Sequence, residues 1–269
     1  MFKKTQLMGI LNVTPDSFFD KGQFFDHEKA IQQGLVLHSS GADIIDIGGE
    51  STRPGAEEVT EQEELQRVIP VIKALKKSIP ITLSIDTVKA RVAAEAVAAG
   101  AELINDVSGF TDPNMCEVAA STGAKICVMH MQGSPRTMQK NPAYPEGVTE
   151  HIMKWFENKI TTLINLGVTE NKIILDPGIG FGKTVDQNIE ILQNISRFKS
   201  LGFPILLGLS RKSFMGKILS KPPSELLSAT IAVNTWAIKD NVDILRVHDV
   251  QEHRDAIDLV DRIQKAKVC

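Results

Sequence analysis

The sequence is poor in the features that mark secreted, membrane-spanning or nucleic-acid-binding proteins. Its 269 residues include only three cysteines, which form neither a Cys-x-x-Cys pair nor a disulfide-like framework, as is typical of a reducing compartment. The net charge is -3 and no lysine- or arginine-rich run occurs, so neither nucleic acid nor an anionic membrane is an expected partner. The apolar run at 7–13 is too short to span a bilayer. We therefore expect a cytoplasmic protein in which any anion-binding site is local.

Short apolar runs and segments with helical spacing alternate along the whole chain. The runs lack the apolar/polar alternation of a half-exposed sheet, so they predict buried parallel strands. No linker or low-complexity segment divides the chain, which favours a single domain over residues 1–269. The predicted strands are 6–13, 42–48, 81–85, 102–104, 125–129, 172–175, 204–209 and 243–247, and the clearest helical segments are 61–77, 88–99, 148–166, 185–200 and 224–239.

Eight strands alternating with helices fit either a closed barrel or an open doubly wound sheet. Polar residues at the strand ends favour the barrel, because the carboxyl ends of all barrel strands meet on one face, where catalytic residues of this fold lie. We therefore predict an α/β fold, a (β/α)8 TIM barrel, with its active site on that face. The strand-end residues are Asn12, Asp46, Glu50, Asp86, Asn105, Asp106, His130, Asp176, Arg211, Lys212, Arg246 and His248.

Some of these residues have a simple structural explanation. An aspartate after a strand is often only the N-cap of the next helix, and Asp86 and Asp112 are the best candidates for that role. The last two strands end instead in cations, which are disfavoured at a helix N-terminus. These cations indicate an anion site in the loops where barrels commonly bind phosphate. They are Arg211, Lys212, Arg246 and His248.

The glycine-rich segment at 176–184, DPGIGFGKT, fits neither of the common nucleotide-binding motifs. A P-loop requires glycine where Pro177 stands, and a dinucleotide fingerprint requires glycine where Lys183 stands. We interpret the segment as a loop that lets the backbone approach a ligand while Phe181 offers a flat face. For His130, a structural role and a catalytic role both stay open.

Seven short motifs lie at or near the predicted strand ends. They are MGILNVTPDS (8–17), DIGGESTRPGA (46–56), SIDT (84–87), INDV (104–107), DPG (176–178), SRKS (210–213) and RVH (246–248). Together they closely resemble the dihydropteroate synthase family, from about residue 7 to the last strand. The resemblance implies a transferase of folate biosynthesis, usually a homodimer. Such an enzyme joins 4-aminobenzoate to (7,8-dihydropterin-6-yl)methyl diphosphate and releases diphosphate.

The resemblance also implies roles for individual residues. Carboxylate and amide oxygens can accept hydrogen bonds from the pterin, while Lys212 can donate to its carbonyl group. Cations and a hard metal such as Mg²⁺ suit a leaving diphosphate. We expect three catalytic residues, Asp20, Arg53 and Lys212. Asp20 would stabilise a cationic pterin. The implied pterin contacts are Asp86, Asn105, Asp176 and Lys212; the Mg²⁺ ligand is Asn12; the diphosphate contacts are Thr52, Arg53, Arg246 and His248; and the aminobenzoate pocket comprises Pro54, Phe181, Lys212 and Ser213.

Three other functions remain open at this point. A pterin-binding methyltetrahydrofolate:corrinoid methyltransferase could share the Asp and Asn contacts but would not need the STRPG loop. A non-catalytic pterin carrier is possible because a fold and a site do not prove turnover. A Schiff-base aldolase would use Lys212 as its nucleophile, although Arg211 beside it is thin evidence for an uncharged lysine.

Overall fold

The computed structural model describes residues 4–14, 23–51, 58–134 and 137–266. Within these ranges, eight strands alternate with ten α-helices and two short 3-10 turns. The strands are β1 (Gln6–Asn12), β2 (Ile44–Gly48), β3 (Thr82–Asp86), β4 (Leu103–Asp106), β5 (Lys125–Met129), β6 (Ile173–Asp176), β7 (Leu206–Leu207) and β8 (Ile244–Val247). The helices are α1 (Gln23–Ser39), α2 (Glu61–Ser78), α3 (Ala90–Ala99), α4 (Pro113–Thr122), α5 (Val148–Asn165), α6 (Val185–Gln193), α7 (Ile195–Lys199), α8 (Ser213–Leu219), α9 (Leu227–Lys239) and α10 (Val250–Lys265).

The strands form a closed parallel barrel. Their hydrogen-bonded order is β6-β5-β4-β3-β2-β1-β8-β7, and the last neighbour contact joins the two ends of this series. There the amide of Leu175 donates to the carbonyl of Pro204 at 2.9 Å, and Leu175 forms a parallel bridge with Ile205. This closure confirms the (β/α)8 TIM barrel and excludes the open doubly wound sheet.

The main hydrophobic core lies between the barrel and its surrounding helices. Alternate strand residues such as Ile45, Leu83 and Leu245 face outward and are fully buried there. Strand β1 approaches its helices closely at Gly9, where a Cβ atom would lie 3.1 Å from Val250 and 3.3 Å from Leu37. The apolar runs of the sequence are therefore continuous, without polar alternation, because both faces of each strand are covered.

Two predicted elements differ from the structure. The helical segment 185–200 is two helices, α6 and α7, because Asn194 between them leaves the helical region, with φ -118° and ψ 23°. The predicted strand 204–209 keeps strand pairing only at β7 and the bridge of Ile205. Among the described residues, no helix is long and apolar enough to cross a membrane.

The two aspartates considered as helix caps have different roles. Asp112 precedes Pro113 at the start of α4, and its side chain accepts from the amide of Asn114 at 2.9 Å, so this prediction is confirmed. Asp86 caps no helix, because Lys89 precedes α3 and the Asp86 carboxylate is bound to Arg246. Asp86 is therefore placed by the barrel interior.

Candidate active site

The polar site residues on the strands point into the barrel because side chains alternate along a strand. The first layer of inward-facing side chains is apolar and fills the interior of the barrel, as expected for this fold. Two residues further along several strands, the inward position is polar. The apolar layer comprises Met8, Ile44, Leu103, Cys127, Ile174, Leu206 and Ile244. The polar layer above it comprises Asp46, Asp86, Asn105, Asp176 and Arg246.

Arg246 joins the acidic members of this layer. Its Nε atom donates to Oδ2 of Asp46 and its Nη2 atom to Oδ2 of Asp86, each at 2.6 Å. The same Asp46 oxygen accepts from Nδ2 of Asn105 at 2.9 Å. One guanidinium therefore holds carboxylates from the neighbouring strands β2 and β3. The amide of Asn105 is turned so that its oxygen is left to accept from a ligand.

Two carboxylate oxygens of this network are poised to bind donors. Oδ1 of Asp46 and Oδ1 of Asp86 are buried and have no hydrogen-bond partner among the described residues. Leaving an acceptor in that state costs about 1–3 kcal/mol, which a ligand N–H group would recover. Burial raises the pKa of Asp86, although the guanidinium of Arg246 opposes the shift. Asp46 was not predicted as a binding residue. The sequence feature that could have identified Asp46 is its position two residues after the inward-facing Ile44.

The opposite side of the site is built from β6 and the loop that follows it. Oδ1 of Asp176 accepts from the amide of Gly178 at 2.8 Å, and burial raises the pKa of this carboxyl group. The Nζ atom of Lys212 lies 4.1 Å from the ring centroid of Phe181, a cation–π distance. Burial lowers the pKa of Lys212 to about 8. Gly180 is required beside it, since φ is +82° and a Cβ atom would lie 3.2 Å from Cδ of Lys212.

A second lysine of this loop, Lys183, was not predicted as a site residue. Its side chain is only 3% exposed and reaches the end of β5, where Nζ lies 3.1 Å from Nδ1 of His130. Burial lowers the pKa of Lys183 to about 7 and that of His130 to about 2. The lowered pKa keeps His130 neutral at ordinary pH. The only sequence signal for Lys183 was its position in the glycine-rich loop.

Asn12, Ser213 and His248 surround this layer. Asn12 is half-buried at the end of β1, and no described residue makes a hydrogen bond with its side chain. Ser213 is exposed at the first position of α8. The backbone amide of His248 donates to Oγ of Ser210 at 3.2 Å, and the same Oγ lies 2.9 Å from Nδ1 of His248. In the described residues no group of three or more His, Cys, Asp or Glu is arranged to hold a metal ion.

Two of the four cations of the last two strands, Arg211 and Arg246, are bound to carboxylates. Arg211 forms two hydrogen bonds with Asp249, from Nε at 3.0 Å and from Nη2 at 2.6 Å. Arg246 is bound to two carboxylates. The charge of Arg211 is thereby neutralised locally, and the sequence pattern overstated the positive charge available to a ligand. Lys212 lies beside the polar layer in cation–π contact with Phe181, and Nδ1 of His248 lies beside Oγ of Ser210.

Four predicted site residues lie outside the described residues. They are Asp20, Thr52, Arg53 and Pro54. The ends of the segment that contains the last three are anchored by an ionic network: Lys89 donates to Oε2 of Glu50 at 2.5 Å and to Oε2 of Glu64 at 2.6 Å. Oε1 of Glu50 also accepts from the amide of Val59 at 3.1 Å.

Comparison with known proteins identifies what this arrangement is similar to. Residues 8–248 match a family described as pterin binding enzyme. A dihydropteroate synthase of Haemophilus influenzae is 45% identical over 252 residues, which cover 94% of this chain and 91% of that protein.

Solved structures agree with the sequence comparison. A Clostridium difficile dihydropteroate synthase, crystallised in the presence of pteroic acid, superimposes with a TM-score of 0.92 at 48% identity, covering 98% of each chain. A Xanthomonas albilineans dihydropteroate synthase with 4-aminobenzoic acid gives a TM-score of 0.92 at 37% identity, covering 99% of this chain and 95% of the other. These similarities favour a synthase over the methyltransferase alternative.

Proposed function

The chain belongs to the pterin binding enzymes and, within them, to the dihydropteroate synthases, and we propose that its polar barrel layer is the site of their reaction. That reaction is the condensation of 4-aminobenzoate with (7,8-dihydropterin-6-yl)methyl diphosphate to 7,8-dihydropteroate and diphosphate. The observation that carries the proposal is the pair of buried, unpartnered carboxylate oxygens on Asp46 and Asp86.

The polar layer suits the pterin ring. The ring carries amino and ring N–H donors, which need acceptors, and one carbonyl group, which needs a donor. The carboxylates of Asp86 and Asp176 and the amide oxygen of Asn105 supply the acceptors, and Lys212 supplies the donor. Asp46 either accepts directly through Oδ1 or holds Asn105 in place through Oδ2.

The charge of this layer suits the reaction step. The bond between the pterin methylene carbon and the diphosphate oxygen breaks, and its electron pair leaves with diphosphate. The amine nitrogen of 4-aminobenzoate bonds to that carbon and then loses a proton. Positive charge develops on the pterin as diphosphate departs, and preorganised carboxylates stabilise such charge. We propose that Asp20 adds to this effect.

Diphosphate binding is proposed for Thr52, Arg53, Arg246 and His248. The contribution of Arg246 is limited by its contacts, because Nε and Nη2 are used by Asp46 and Asp86. Its Nη1 group, with no partner among the described residues, is left for an oxygen of the ligand. The main function of Arg246 is therefore to hold the two carboxylates.

Mg²⁺ is proposed as a partner of the diphosphate. Asn12 offers one half-buried amide oxygen without a described partner, and no acidic cluster lies near it in the described residues. This donor set fits a Mg²⁺ ion that arrives with substrate phosphates and water, since Mg²⁺ is often held by one or two protein oxygens. The ion would neutralise charge on the leaving diphosphate.

For 4-aminobenzoate we propose a pocket between the β6 loop and α8. Phe181 offers an apolar face and Lys212 a cation above that face. Ser213, at the first position of α8, offers a hydroxyl group, and Pro54 would complete the pocket.

A homodimer and a cytoplasmic location also remain proposals. Large apolar side chains that stay exposed on the last three helices are compatible with a subunit interface. They are Ile218, Leu219, Trp236, Leu259 and Ile263. Sedimentation equilibrium of the purified protein and fractionation of cells would test the two proposals.

The direct test combines the purified protein with the pterin diphosphate, 4-aminobenzoate and Mg²⁺ and follows dihydropteroate and diphosphate release. We expect product at a rate that chelation of Mg²⁺ lowers, and an Arg197→Met variant, altered at an exposed ion pair, to match the wild type. Absence of product, together with methyl transfer from methyltetrahydrofolate to a corrinoid, would replace the proposal with the methyltransferase.

A further inference from the structure

Lys183 makes three hydrogen bonds, two of which connect the loop after β6 to the end of β5. Its Nζ atom lies 3.1 Å from Nδ1 of His130, 3.2 Å from the His130 carbonyl oxygen and 2.9 Å from the Phe181 carbonyl oxygen. In its protonated form the Lys183 ammonium group has three N–H donors and no acceptor, so these three neutral acceptors use its full capacity. The side chain is 3% exposed and is not available to bind substrate directly.

His130 is prepared to accept this hydrogen bond. Because the ring is neutral, Nδ1 accepts from Lys183 when the proton resides on Nε2. Aromatic neighbours hold the ring: the Trp155 centroid lies 5.1 Å away at 86° and the His151 centroid 5.4 Å away at 77°. Nδ1 of His130 therefore belongs to a wall of packed aromatic side chains that faces the loop.

The loop is pressed against this wall. A Cβ atom at Gly178 would lie 2.0 Å from the carbonyl oxygen of His130, and one at Gly182 would lie 2.7 Å from that of Gln132. The hydroxyl of Tyr144 donates to the Gly182 carbonyl at 2.8 Å. Phe181 lies between the two glycines, and its own carbonyl is bound by Lys183.

The backbone position of Asp176 does not depend on these contacts, and Lys183 acts on its carboxylate only as a nearby charge. Asp176 pairs with Met129 in the β5–β6 ladder, and its carbonyl accepts from the amide of His130 at 2.9 Å. Loss of the Lys183 side chain should therefore displace the Phe181 ring from beneath Lys212 while the strand end keeps its position. This change should alter the affinities for the two substrates of the proposed reaction to different extents.

We propose that Lys183 is a positioning residue which, through His130 and the Phe181 carbonyl, holds the Phe181 ring beneath Lys212 and so sets the affinity for 4-aminobenzoate. This inference rests on the proposed function. The pterin, bound mainly by strand residues, would keep its affinity.

The test compares Lys183→Met with Lys125→Met, a matched change at an exposed lysine at the start of β5. We expect Lys183→Met to raise the KM for 4-aminobenzoate about tenfold. An effect of this size is expected when one positioned contact with the substrate is lost. The dissociation constant of the pterin, measured by calorimetry, should change less than about twofold. Lys125→Met should match the wild type in both measurements.

A second pair of variants provides a rescue that a general packing defect would not give. His130→Asn keeps an oxygen near the position of Nδ1, whereas His130→Leu removes the acceptor. We expect near-wild-type KM for 4-aminobenzoate in His130→Asn and an increase of about fivefold in His130→Leu. This pair decides the question if Lys183→Met does not fold.

The outcomes separate the inference from the function on which it rests. An active wild type whose KM is unaffected by Lys183→Met, or a variant in which KM and pterin affinity worsen together, would overturn the role of Lys183 alone. A wild type that makes no dihydropteroate would overturn the proposed function itself.

Discussion

On the β2, β3 and β8 side of the barrel, Asp46, Asp86 and Arg246 belong to strands and are joined by charged hydrogen bonds of 2.6 Å. On the β6 side, Phe181 and Lys183 belong to a loop in which Lys183 donates to neutral acceptors, the carbonyl oxygens of His130 and Phe181. The side chains of the strand side are positioned by the backbone hydrogen bonds between strands. Because these side chains are buried, the carboxylates need the positive charge of Arg246. The loop side depends on side-chain contacts and on glycines that let the backbones touch. The two sides should therefore fail in different ways.

The largest effect is expected from Arg246→Met. This change leaves two buried carboxylates without their cation, and breaking a buried pair in this way costs about 3–5 kcal/mol. We expect the free energy of unfolding in urea to fall by about 3 kcal/mol and activity to be lost. Arg197→Met, at an exposed ion pair, should cost at most about 1 kcal/mol. Equal stability of the two variants would show that Arg246 does not hold the strand side together.

Gly178→Ala should produce the next largest effect, on the loop side. Gly178 has φ +70°, and an added Cβ atom would overlap the carbonyl oxygen of His130 at 2.0 Å. Gly123 is a matched control, since φ is +64° and nothing lies within 4 Å of the added atom. Gly123→Ala should cost about 1 kcal/mol from backbone strain alone. Gly178→Ala should cost at least about 2 kcal/mol and raise the KM for 4-aminobenzoate. Similar unfolding free energies would mean that the close approach is unimportant.

Alkaline pH should weaken the loop side while the strand side keeps its charge. The pKa of Lys212 is lowered to about 8, so its ammonium is lost as pH rises through that value, whereas the raised pKa of Arg246 keeps the guanidinium charged. We expect the affinity for 4-aminobenzoate, measured by calorimetry, to fall by up to about tenfold between pH 7 and 9 in the wild type and to fall less in Lys212→Arg, where only Lys183 still loses its charge near this range. The comparison would fail if both proteins gave the same profile.

Protein stability should respond to Lys212 with the opposite sign. Its pKa in the folded protein lies below its ordinary value of 10.5, so the unfolded chain binds more protons between these values. Its contribution to the free energy of unfolding therefore rises with pH in that window. A loss of affinity at pH 9 would accordingly not be explained by unfolding through this residue.

The smallest effect is expected from Tyr144→Phe. This change removes one hydrogen bond, the donation from the hydroxyl to the Gly182 carbonyl at 2.8 Å, and costs about 1 kcal/mol. Thermal unfolding should show a small decrease, and the KM for 4-aminobenzoate should rise less than in Lys183→Met. A larger increase in KM would make Tyr144, and not Lys183, the main support of the loop.

Most site residues of the strand side could be predicted from the sequence. Buried runs predicted strands, and polar residues at their ends, including Asp86, Asn105 and Asp176, were expected to meet on one barrel face. Asp46 was seen in that pattern but not assigned a role, because only the pairing with Arg246 shows that its second oxygen is left without a partner. The cation pattern misled at Arg211, whose partner Asp249 lies 38 positions away along the chain.

The sequence by itself determined the repeat of strand and helix, the inward period of two and the motifs that place the chain in its family, because these are properties of local order. Only the tertiary structure decided which carboxylates share Arg246, that His130 is buried against Lys183, and that Lys183 donates to the Phe181 carbonyl. Those facts depend on distances between strands and loops that are far apart in sequence. Electrostatic pairing and burial arise from such distances, so residue type and spacing do not encode them directly.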